Sequence, residues 1–547
     1  MNFHIEGNQF FKERDYLSAW NCYTRGLAQT PKNPVLWSNR SLTSMKLEIF
    51  ELGYTDALKA YNLLKDQNIK DQNLQLLFIK TIDRMSSSLS KFGVFPRAIS
   101  ILDSFLNNPL YKNFLSKQLR QQFLKKKDEY QIQLNSKLAL NTMFIYESLK
   151  HAPNPRNSSE IVKRIMDMGM TKFNYPWDRE RLESRGDEIN IEKLQRELNI
   201  ISSKNLNIAI MNLNRQNKSN ETFTVQLGIF AREEISEGTV ILNEDPFLTV
   251  HGYTSPRCGH CARYIKPLNY KDFNQNFDIS TRFNCQNNIN CTEIFCNKQC
   301  FDLAMEQYHP ALCGKNLQTL LYFLRQNKSG NGDPNPLFLL KIFAYAKIRN
   351  ISPLDIQEIK YLAQYKPKFR NIKKFGIMKE METYLPSIYF DFYFLTLEIL
   401  EISQYDIRYE FWIYITLMCK LQVNTFGRDG LACLYKFISF INHSCVPNVY
   451  TDPYISQNYN QNIEEESSNK GEIKENNMNL VSLTKIQKGE QIFISYCNET
   501  LNKEDRAIHL IPAYGFECTC EKCRNEDPQD LCHVYLLPVW WLDCFRE

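Results

Sequence analysis

Two stretches in the second half of the chain alternate apolar and polar residues with the period of a β-strand. The first is QLGIFAREEISEGTVILNEDPFLTV (226–250), with a turn at Glu237-Gly238, and the second is LVSLTKIQKGEQIFISYC (480–497), with a turn at Lys488-Gly489. Successive side chains point to opposite faces of a strand, and glycine suits a tight turn. Each stretch therefore predicts a hairpin of two strands.

The first 130 residues follow a longer, helical period. Small residues stand where two helices would cross, aromatic residues stand between them, and proline stands at the exit: Gly7, Phe10, Ala19, Tyr23, Gly26 and Pro31. The same 34-residue register places Gly53, Ala57 and Ala60 in a second pass and Phe95 and Ala98 in a third. The stretch resembles tetratricopeptide repeats, and an unrelated amphipathic helical bundle is the alternative.

Within that register, five polar residues stand where carboxylate-clamp tetratricopeptide domains place Lys, Asn, Asn, Lys and Arg: His4, Asn8, Asn39, Lys80 and Arg84. The resemblance implies that they bind the acidic carboxyl-terminal tail of a chaperone through charge-assisted hydrogen bonds. His4 departs from the lysine of the pattern. Solvated surface polar groups would look similar.

Composition and charge narrow the class of protein. The chain has 547 residues, 43% of them hydrophobic and 23% charged, and a net charge of +5. This length predicts several globular domains, and the near-balance of charge argues against direct nucleic-acid binding. Charges in the amino-terminal MNFHIEGNQFFKERDY and the lack of a long apolar segment predict a cytoplasmic or nuclear protein without a membrane span.

Seventeen cysteines then favour metal binding over disulfides, because those compartments are reducing. Eight soft ligands lie between residues 258 and 313: Cys258, Cys261, Cys285, Cys291, Cys296, Cys300, His309 and Cys313. Eight such ligands fill two tetrahedral zinc sites.

The ligand order resembles the MYND zinc finger, in which the ligand pairs interleave. The resemblance assigns one ion to Cys258, Cys261, Cys296 and Cys300, and the other to Cys285, Cys291, His309 and Cys313. The longer spacing between Cys285 and Cys291 leaves His260 as an alternative ligand. Four protein ligands leave no open position for catalysis, so this finger is expected to be a structural adaptor, with a proline-containing peptide as a partner.

The segment FISFINHSCVPNVY (437–450) packs an amide, an imidazole and a thiol together. A Cys/His nucleophile, part of a metal site and a tight turn are three explanations. Downstream, Cys518, Cys520 and Cys523 form C-x-C-x-x-C, which is one ligand short of a tetrahedral zinc site. The metal explanation accounts for both segments.

The strands, the finger, NHSC and the last cysteines together resemble the SET and MYND domain protein lysine methyltransferases, in the subgroup with amino-terminal repeats. The resemblance covers residues 216–524 and implies binding of S-adenosylmethionine. It makes Cys445 the fourth ligand of a third zinc ion and places Gly228, Asn424, Ser439, Asn442, His443, Tyr496 and Phe516 at the cofactor.

The same resemblance makes Tyr496 the catalytic tyrosine and Tyr514 an aromatic wall of the lysine channel. Methyl transfer to a lysine amine needs alignment and a dry channel, which a tyrosine hydroxyl helps to provide. Core packing is the alternative for these side chains. One departure matters: the family's first motif is G-x-G, but this chain has Gln226-Leu227-Gly228, and a side chain there could crowd the cofactor.

The predicted fold is multidomain α+β: helical tetratricopeptide-like repeats, then a β-rich SET domain split by a MYND zinc finger, with a post-SET zinc segment. The expected divisions are repeats (1–130), a helical linker (131–215), the first SET part (216–257), the finger (258–313), a helical SET insert (314–420), the catalytic core (421–517), post-SET (518–524) and a tail (525–547). Residues 455–479 are polar and predict a disordered loop.

The predicted function is protein-lysine N-methyltransfer from S-adenosylmethionine, with a protein lysine as substrate and three zinc ions. The alternative is a scaffold that keeps the zinc and repeat modules without catalysis, which Gln226 would favour.

Overall fold

The computed structural model describes residues 3–65, 71–150, 162, 166–171, 173, 175–202, 208–212, 225–252, 257–265, 283–326, 335–365, 383–428, 431–452 and 476–526. Most of the loop predicted for 455–479 and nearly all of the tail 525–547 lie outside the described residues. By internal packing the chain forms two compact units: residues 1–177 with 369–415, and residues 178–368 with 416–546. No helix among the described residues has both the length and the apolar composition needed to cross a bilayer.

The first unit is mostly helical. Its helices are Phe3–Lys12, Tyr16–Gln29, Pro34–Lys46, Phe50–Leu64, Gln72–Phe92, Phe95–Asn107, Lys117–Lys150 and Ile388–Ile399, with short 3-10 helices at Pro109–Phe114 and Ile407–Tyr409. From Phe3 to Lys150, each α-helix packs against the next one along the chain.

Local sequence explains where these helices begin and end. The Asp15 carboxylate accepts a hydrogen bond from Ser18 N at 3.1 Å, and the Asp71 carboxylate accepts one from Asn73 N at 2.6 Å. Gly93 ends the fifth helix with φ of +97°, a left-handed conformation that favours glycine. Gly7 lets two helices approach closely, because a Cβ there would lie 2.5 Å from the Tyr23 ring.

The segment 383–415 contributes to the packing of this first unit. Strand Thr383–Pro386 pairs antiparallel with strand Met168–Thr171. Buried Arg40 pairs with Asp56 at 2.8 Å and with Glu410, and its guanidinium lies 4.9 Å from the centre of the Trp20 ring. The sequence-based division assigned residues 314–420 to one SET insert, whereas in the structure 369–415 belong to the first unit and 335–365 to the second.

The second unit is built on short strands. They are Ile208–Asn212, Leu227–Ala231, Val240–Glu244, Leu248–His251, Phe283–Asn284, Ile294–Phe295, Thr425–Arg428, Leu431–Leu434, Asn442–His443, Val449–Asp452, Met478–Ser482 and Phe493–Ile494. Its helices are Arg179–Glu183, Glu188–Ile201, Lys298–Gln307, His309–Leu312, Gln318–Gln326, Asn335–Arg349, Gln357–Lys360, Lys503–Tyr514 and Glu521–Asn525, and helix Phe411–Asn424 contains the boundary between the units.

The strands on the two sides of each predicted turn pair with other segments and not with each other. Leu227–Ala231 pairs with Ile208–Asn212, and Val240–Glu244 pairs with Met478–Ser482. The prediction of two local hairpins was therefore wrong in its pairing, although the strands and the turns at Gly238 (φ +75°) and Gly489 (φ +82°) are present. Apolar residues of these distant strands share one core, which includes Ile229, Leu242, Ile441, Leu480 and Ile494. Shared burial favours this pairing over the local one.

The helical linker predicted for 131–215 is also divided between the units. Lys137 of the long helix donates hydrogen bonds to the carbonyls of Gly93 (2.9 Å) and Met168 (2.7 Å) within the first unit. Helix Glu188–Ile201 lies in the second unit, where Leu194 and Leu198 are buried in its core. Residues 151–161 lie outside the described residues.

Candidate active site and metal clusters

A parallel pair of two-residue strands brings two distant motifs together. Asn442 and His443 pair with Phe493 and Ile494, and Ser444 N donates to Ile494 O at 3.0 Å. This pairing sets the NHSC segment beside Tyr496, which is 53 positions after His443. The sequence-predicted residues of both motifs thus lie in one place.

The His443 imidazole connects the two motifs through its side chain. Tyr496 N donates to His443 Nδ1 at 3.0 Å, and Nε2 lies 3.3 Å from Cys445 Sγ. Because Nδ1 accepts a hydrogen bond, the ring proton is on Nε2 and the imidazole is neutral. Burial lowers the pKa of His443 to about 4, and the charges of Arg506 and His509 act in the same direction.

The aromatic rings of Tyr496, Tyr514 and Phe516 lie close to one another beside the His443 imidazole. The Tyr496 ring centre lies 4.7 Å from that of Tyr514 and 6.3 Å from that of Phe516, and the Phe516 ring lies 5.8 Å from His443. Tyr496 Oη donates to Ile441 O at 2.6 Å. Burial raises the pKa of Tyr496 above its usual value and that of Tyr514 to about 12, so both hydroxyls keep their protons at neutral pH.

The departure from G-x-G has a visible consequence. Asn442 Nδ2 donates to Leu227 O at 3.0 Å, and Asn442 Oδ1 accepts from Gln226 Nε2 at 3.1 Å. Gln226 is exposed, and Gly228 lies buried in the strand that follows. The Gln226 side chain therefore donates a hydrogen bond to the Asn442 amide oxygen, which the family resemblance predicts to face the cofactor.

Asn424 and Ser439 lie side by side but differ in what they offer a ligand. Ser439 Oγ donates to Tyr435 O at 2.5 Å and to Asn424 O at 3.3 Å, so it holds backbone. Asn424 Nδ2 donates to Ala363 O at 2.8 Å and to Lys420 O at 2.6 Å. Its Oδ1 is buried and has no partner among the described residues. A buried acceptor left open in this way suits a ligand with an N–H donor, such as S-adenosylmethionine.

Two residues that support the site were not singled out from the sequence. The Glu244 carboxylate accepts backbone hydrogen bonds from Lys436 (2.8 Å), Phe437 (3.0 Å) and Ile438 (2.9 Å), which fixes the approach to NHSC. Burial raises the pKa of Glu244 to about 7. Asn448 accepts from Phe493 N and donates to Gln491 O, both at 2.9 Å, and so holds the partner strand. In the sequence, Pro447 and Asn448 indicated only a tight turn.

The ligands assigned to the MYND finger gather in two clusters. The sulfurs of Cys258, Cys261, Cys296 and Cys300 lie within 4.8 Å of one another, as do the ligand atoms of Cys285, Cys291, His309 and Cys313. Cys261 Sγ is 3.6 Å from Cys296 Sγ, and Cys285 Sγ is 3.5 Å from Cys313 Sγ. His260 is outside both clusters and stacks on Tyr308.

A third cluster combines NHSC with the last cysteines. Cys445 Sγ lies 3.8 Å from Cys518 Sγ and 3.5 Å from Cys523 Sγ, and Cys520 completes the group. Tetrahedral zinc with Zn–S bonds of about 2.3 Å separates its sulfurs by about 3.8 Å. All three clusters therefore fit zinc in donor type and spacing. Cys497, which the sequence did not single out, also lies within 4.8 Å of Cys445 and His443.

Comparison with known proteins agrees with this geometry. Residues 226–497 match the SET domain. The matched segment contains Gln226, the NHSC segment and Tyr496. It also contains both ligand clusters of the finger. The match ends before Tyr514 and the last three zinc-candidate cysteines.

Several relatives share shorter stretches with the chain. It is 33% identical over 132 residues to a "SET domain and MYND-type zinc finger protein 6" of Schizosaccharomyces pombe, and 30% over 117 residues to a "Histone-lysine N-methyltransferase SET5" of Saccharomyces cerevisiae. A "SET and MYND domain-containing protein" of Dictyostelium discoideum is 28% identical over 134 residues. These matches cover 21 to 23% of this chain and 23%, 18% and 33% of the relatives.

Outside the SET segment, the predicted clamp residues of the first unit lie close together. Asn8 Oδ1 accepts from Asn39 Nδ2 at 3.2 Å, and Asn8 Nδ2 lies 3.3 Å from His4 Nε2. Arg84 Nη1 donates to Ser38 O at 2.5 Å, next to Asn39, and Lys80 is exposed one turn earlier on the same helix. Burial lowers the pKa of Arg84 to about 10, so it stays charged at neutral pH.

Proposed function

We propose that this chain is an S-adenosylmethionine-dependent protein-lysine N-methyltransferase. The observation that carries the proposal is the convergence of Asn442, His443, Tyr496, Tyr514 and Phe516 inside and next to the segment that matches the SET domain. Relatives named as histone-lysine N-methyltransferases support the reaction at the family level.

Each side chain then has a defined task. S-Adenosylmethionine would supply a methyl group carried on a sulfonium. Asn424, Asn442 and the Phe516 ring are the groups that would bind it. The rings of Tyr496 and Tyr514 exclude water, which favours the neutral form of a lysine amine over its ammonium. The Tyr496 hydroxyl and Ile441 O would align that amine, so catalysis comes mainly from orientation and electrostatics.

Replacing Tyr496 with Phe tests the assignment. The variant deletes one hydroxyl and its hydrogen bond to Ile441 O, so we expect a slightly lower melting temperature, unchanged zinc content and a loss of roughly 10²-fold in methyl transfer. The measurement is transfer of labelled methyl to proteins of a lysate, with the modified residue located by mass spectrometry. Tyr450→Phe, at an exposed tyrosine on strand Val449–Asp452, is the matched control. An unchanged rate for Tyr496→Phe would remove the catalytic role.

The alternative function is a zinc-containing adaptor without catalysis, which the Gln226–Asn442 hydrogen bond favours. Calorimetry separates the two. If the full chain releases no heat and shows no thermal shift with millimolar S-adenosylmethionine, the adaptor replaces the enzyme as the proposal.

A second function is proposed for the first unit: binding of an acidic chaperone tail. The hydrogen bonds among His4, Asn8 and Asn39 and the proximity of Arg84 support it. Lys80→Ala with Arg84→Ala should weaken binding by about 2 to 4 kcal/mol if both contact carboxylates. The ligand is a peptide ending in Glu-Glu-Val-Asp, compared with its amidated form. Equal affinity for the two forms would contradict the clamp.

A further inference from the structure

Arg185 is a buried cation of the second unit. Only 6% of the residue is exposed, and it lies in the 3-10 turn Ser184–Gly186. Nε donates to Tyr361 O at 2.8 Å and Nη1 donates to Val225 O at 2.9 Å. Within the described part of the chain no ion pair involves Arg185. Burying a guanidinium without a counter-charge is unfavourable unless something else compensates it.

The two carbonyls that Arg185 contacts belong to segments that lead to two of the predicted cofactor-binding residues, Asn442 and Asn424. Val225 directly precedes Gln226, whose amide bonds to Asn442. Tyr361 belongs to a segment held from helix Phe411–Asn424: Lys420 Nζ bonds to the carbonyls of residues 359, 360 and 362, and Asn424 bonds to that of residue 363. Arg185 is therefore adjacent to both the cofactor motif and the segment that positions Asn424.

The other two cations in this region are compensated, although Arg181 Nη1 is buried and has no partner among the described residues. The three N–H groups of Lys420 match its three carbonyl partners. Arg181 forms an ion pair with Asp178, with Nε donating to Oδ1 at 2.6 Å. Of the five N–H groups of Arg185, only two have partners among the described residues. Arg185 thus combines an uncompensated charge with spare donors.

Asn424 offers a complementary group nearby. Its buried Oδ1 accepts no hydrogen bond from the described residues. An uncompensated guanidinium and an open acceptor together suit a carboxylate and an ammonium, the two charged groups of an α-amino acid. We propose that Arg185 binds the carboxylate at the amino-acid end of S-adenosylmethionine. This inference rests on the proposed function, and it assigns a binding role to a residue upstream of the matched SET segment.

The test compares two ligands on the full chain by calorimetry: S-adenosylmethionine and decarboxylated S-adenosylmethionine, which lacks only the carboxylate. The unmodified protein should bind the first more tightly by a factor on the order of 10 to 100, as expected for a charge-assisted hydrogen bond. Arg185→Met should lose that factor for S-adenosylmethionine and bind the decarboxylated ligand within about twofold of the unmodified protein. Arg185→Lys should keep part of the preference.

Arg179→Met, at an exposed arginine in the preceding helix Arg179–Glu183, is the control and should retain full discrimination. If Arg185→Met weakens both ligands equally, Arg185 only holds the backbone and the inference fails. If that variant does not fold, the unmodified protein still decides, since equal affinity for the two ligands overturns the inference while leaving the proposed function intact. Binding of neither ligand overturns both.

Discussion

Asn442 shows how much of this site depends on single amide groups. Its Nδ2 donates to Leu227 O, and its Oδ1 accepts from Gln226 Nε2. A glycine in place of Gln226 would leave that oxygen open to a ligand. We therefore expect substitutions of Gln226 to change the affinity for the cofactor.

Gln226→Gly should raise the affinity for S-adenosylmethionine by about three- to tenfold, because one competing hydrogen bond of roughly 1 kcal/mol is removed. Calorimetry of the full chain gives the value. Gln226→Ala also deletes the amide but keeps a Cβ, so it distinguishes an occupied acceptor from steric crowding. A lower affinity in both variants would contradict this account and make the glutamine a contributor to binding.

At the scale of elements, the last helix of the described residues, Glu521–Asn525, depends on the third cluster, because it carries Cys523 and follows Cys520 directly. A zinc ion at this cluster would join it to the NHSC strand, next to the proposed active site. Metal binding and order of this segment should therefore be coupled.

Cys520→Ala should remove one of three zinc ions per chain and weaken binding of S-adenosylmethionine. Elemental analysis of the metal-replete protein measures the first effect and calorimetry the second. Cys22→Ala, at a buried cysteine of helix Tyr16–Gln29, should keep all three ions. A Cys520→Ala protein that still holds three ions would show that Cys445 does not share a zinc ion with Cys520.

Another contact between elements is sensitive to pH. The buried Glu51 side chain accepts hydrogen bonds from Thr171 Oγ1 at 3.0 Å and from Tyr175 Oη at 3.3 Å, and it joins helix Phe50–Leu64 to strand Met168–Thr171. Burial raises the pKa of Glu51 to about 7. Between its unfolded pKa of about 4.5 and pH 7, the folded state binds more protons than the unfolded state. The stability that Glu51 contributes therefore falls as pH rises through this window.

Glu51→Gln removes this titration. Relative to the unmodified protein, its free energy of unfolding should increase from pH 5 to pH 8 by up to about 3 kcal/mol, since one pKa unit corresponds to about 1.4 kcal/mol. Urea unfolding at the two pH values measures the change. Glu13→Gln, at an exposed position of the first unit, is the control. A difference between Glu51→Gln and the unmodified protein that does not change with pH would contradict the prediction.

At the scale of the whole molecule, the chain order and the packing units do not coincide. Residues 369–415 are separated from residue 177 by the whole finger and about half of the SET segment, yet they belong to the first unit. Tyr54 and Phe390 have ring centres 4.8 Å apart, and Arg97 forms an ion pair with Asp391. In a chain without residues 369–415, Arg40 would keep its ion pair with Asp56 but would lose its ion pair with Glu410.

Residues 1–177 alone should therefore fail to form a stable domain. They would expose the apolar surface that packs on Phe390 and leave a buried guanidinium with half its counter-charge. Circular dichroism should show no cooperative thermal transition for this fragment. Joining residues 369–415 to it through a flexible Gly/Ser linker should restore one. A cooperative transition in the fragment 1–177 by itself would contradict the prediction.

The sequence alone determined the local features of the protein. Alternation marked the strands, glycines marked the turns at 238 and 489, and small residues marked the helix crossings. The spacing of the cysteines, read with a known family, also gave three four-residue ligand sets whose side chains lie together in the structure. Each of these signals lies within a few residues of chain, where one side chain constrains its neighbours directly.

The tertiary structure alone decided which segments meet. Val240–Glu244 pairs with Met478–Ser482 rather than with its neighbour, and Glu410 neutralises Arg40 from 370 positions away. The same holds for Glu244, Asn448 and Arg185, whose partners are backbone groups far along the chain. Backbone donors and acceptors are the same at every residue, so no sequence pattern names the partner of a buried side chain. Burial of a shared apolar core decides which segments become neighbours. Each buried polar group must then form its hydrogen bonds with the groups of the neighbouring segment.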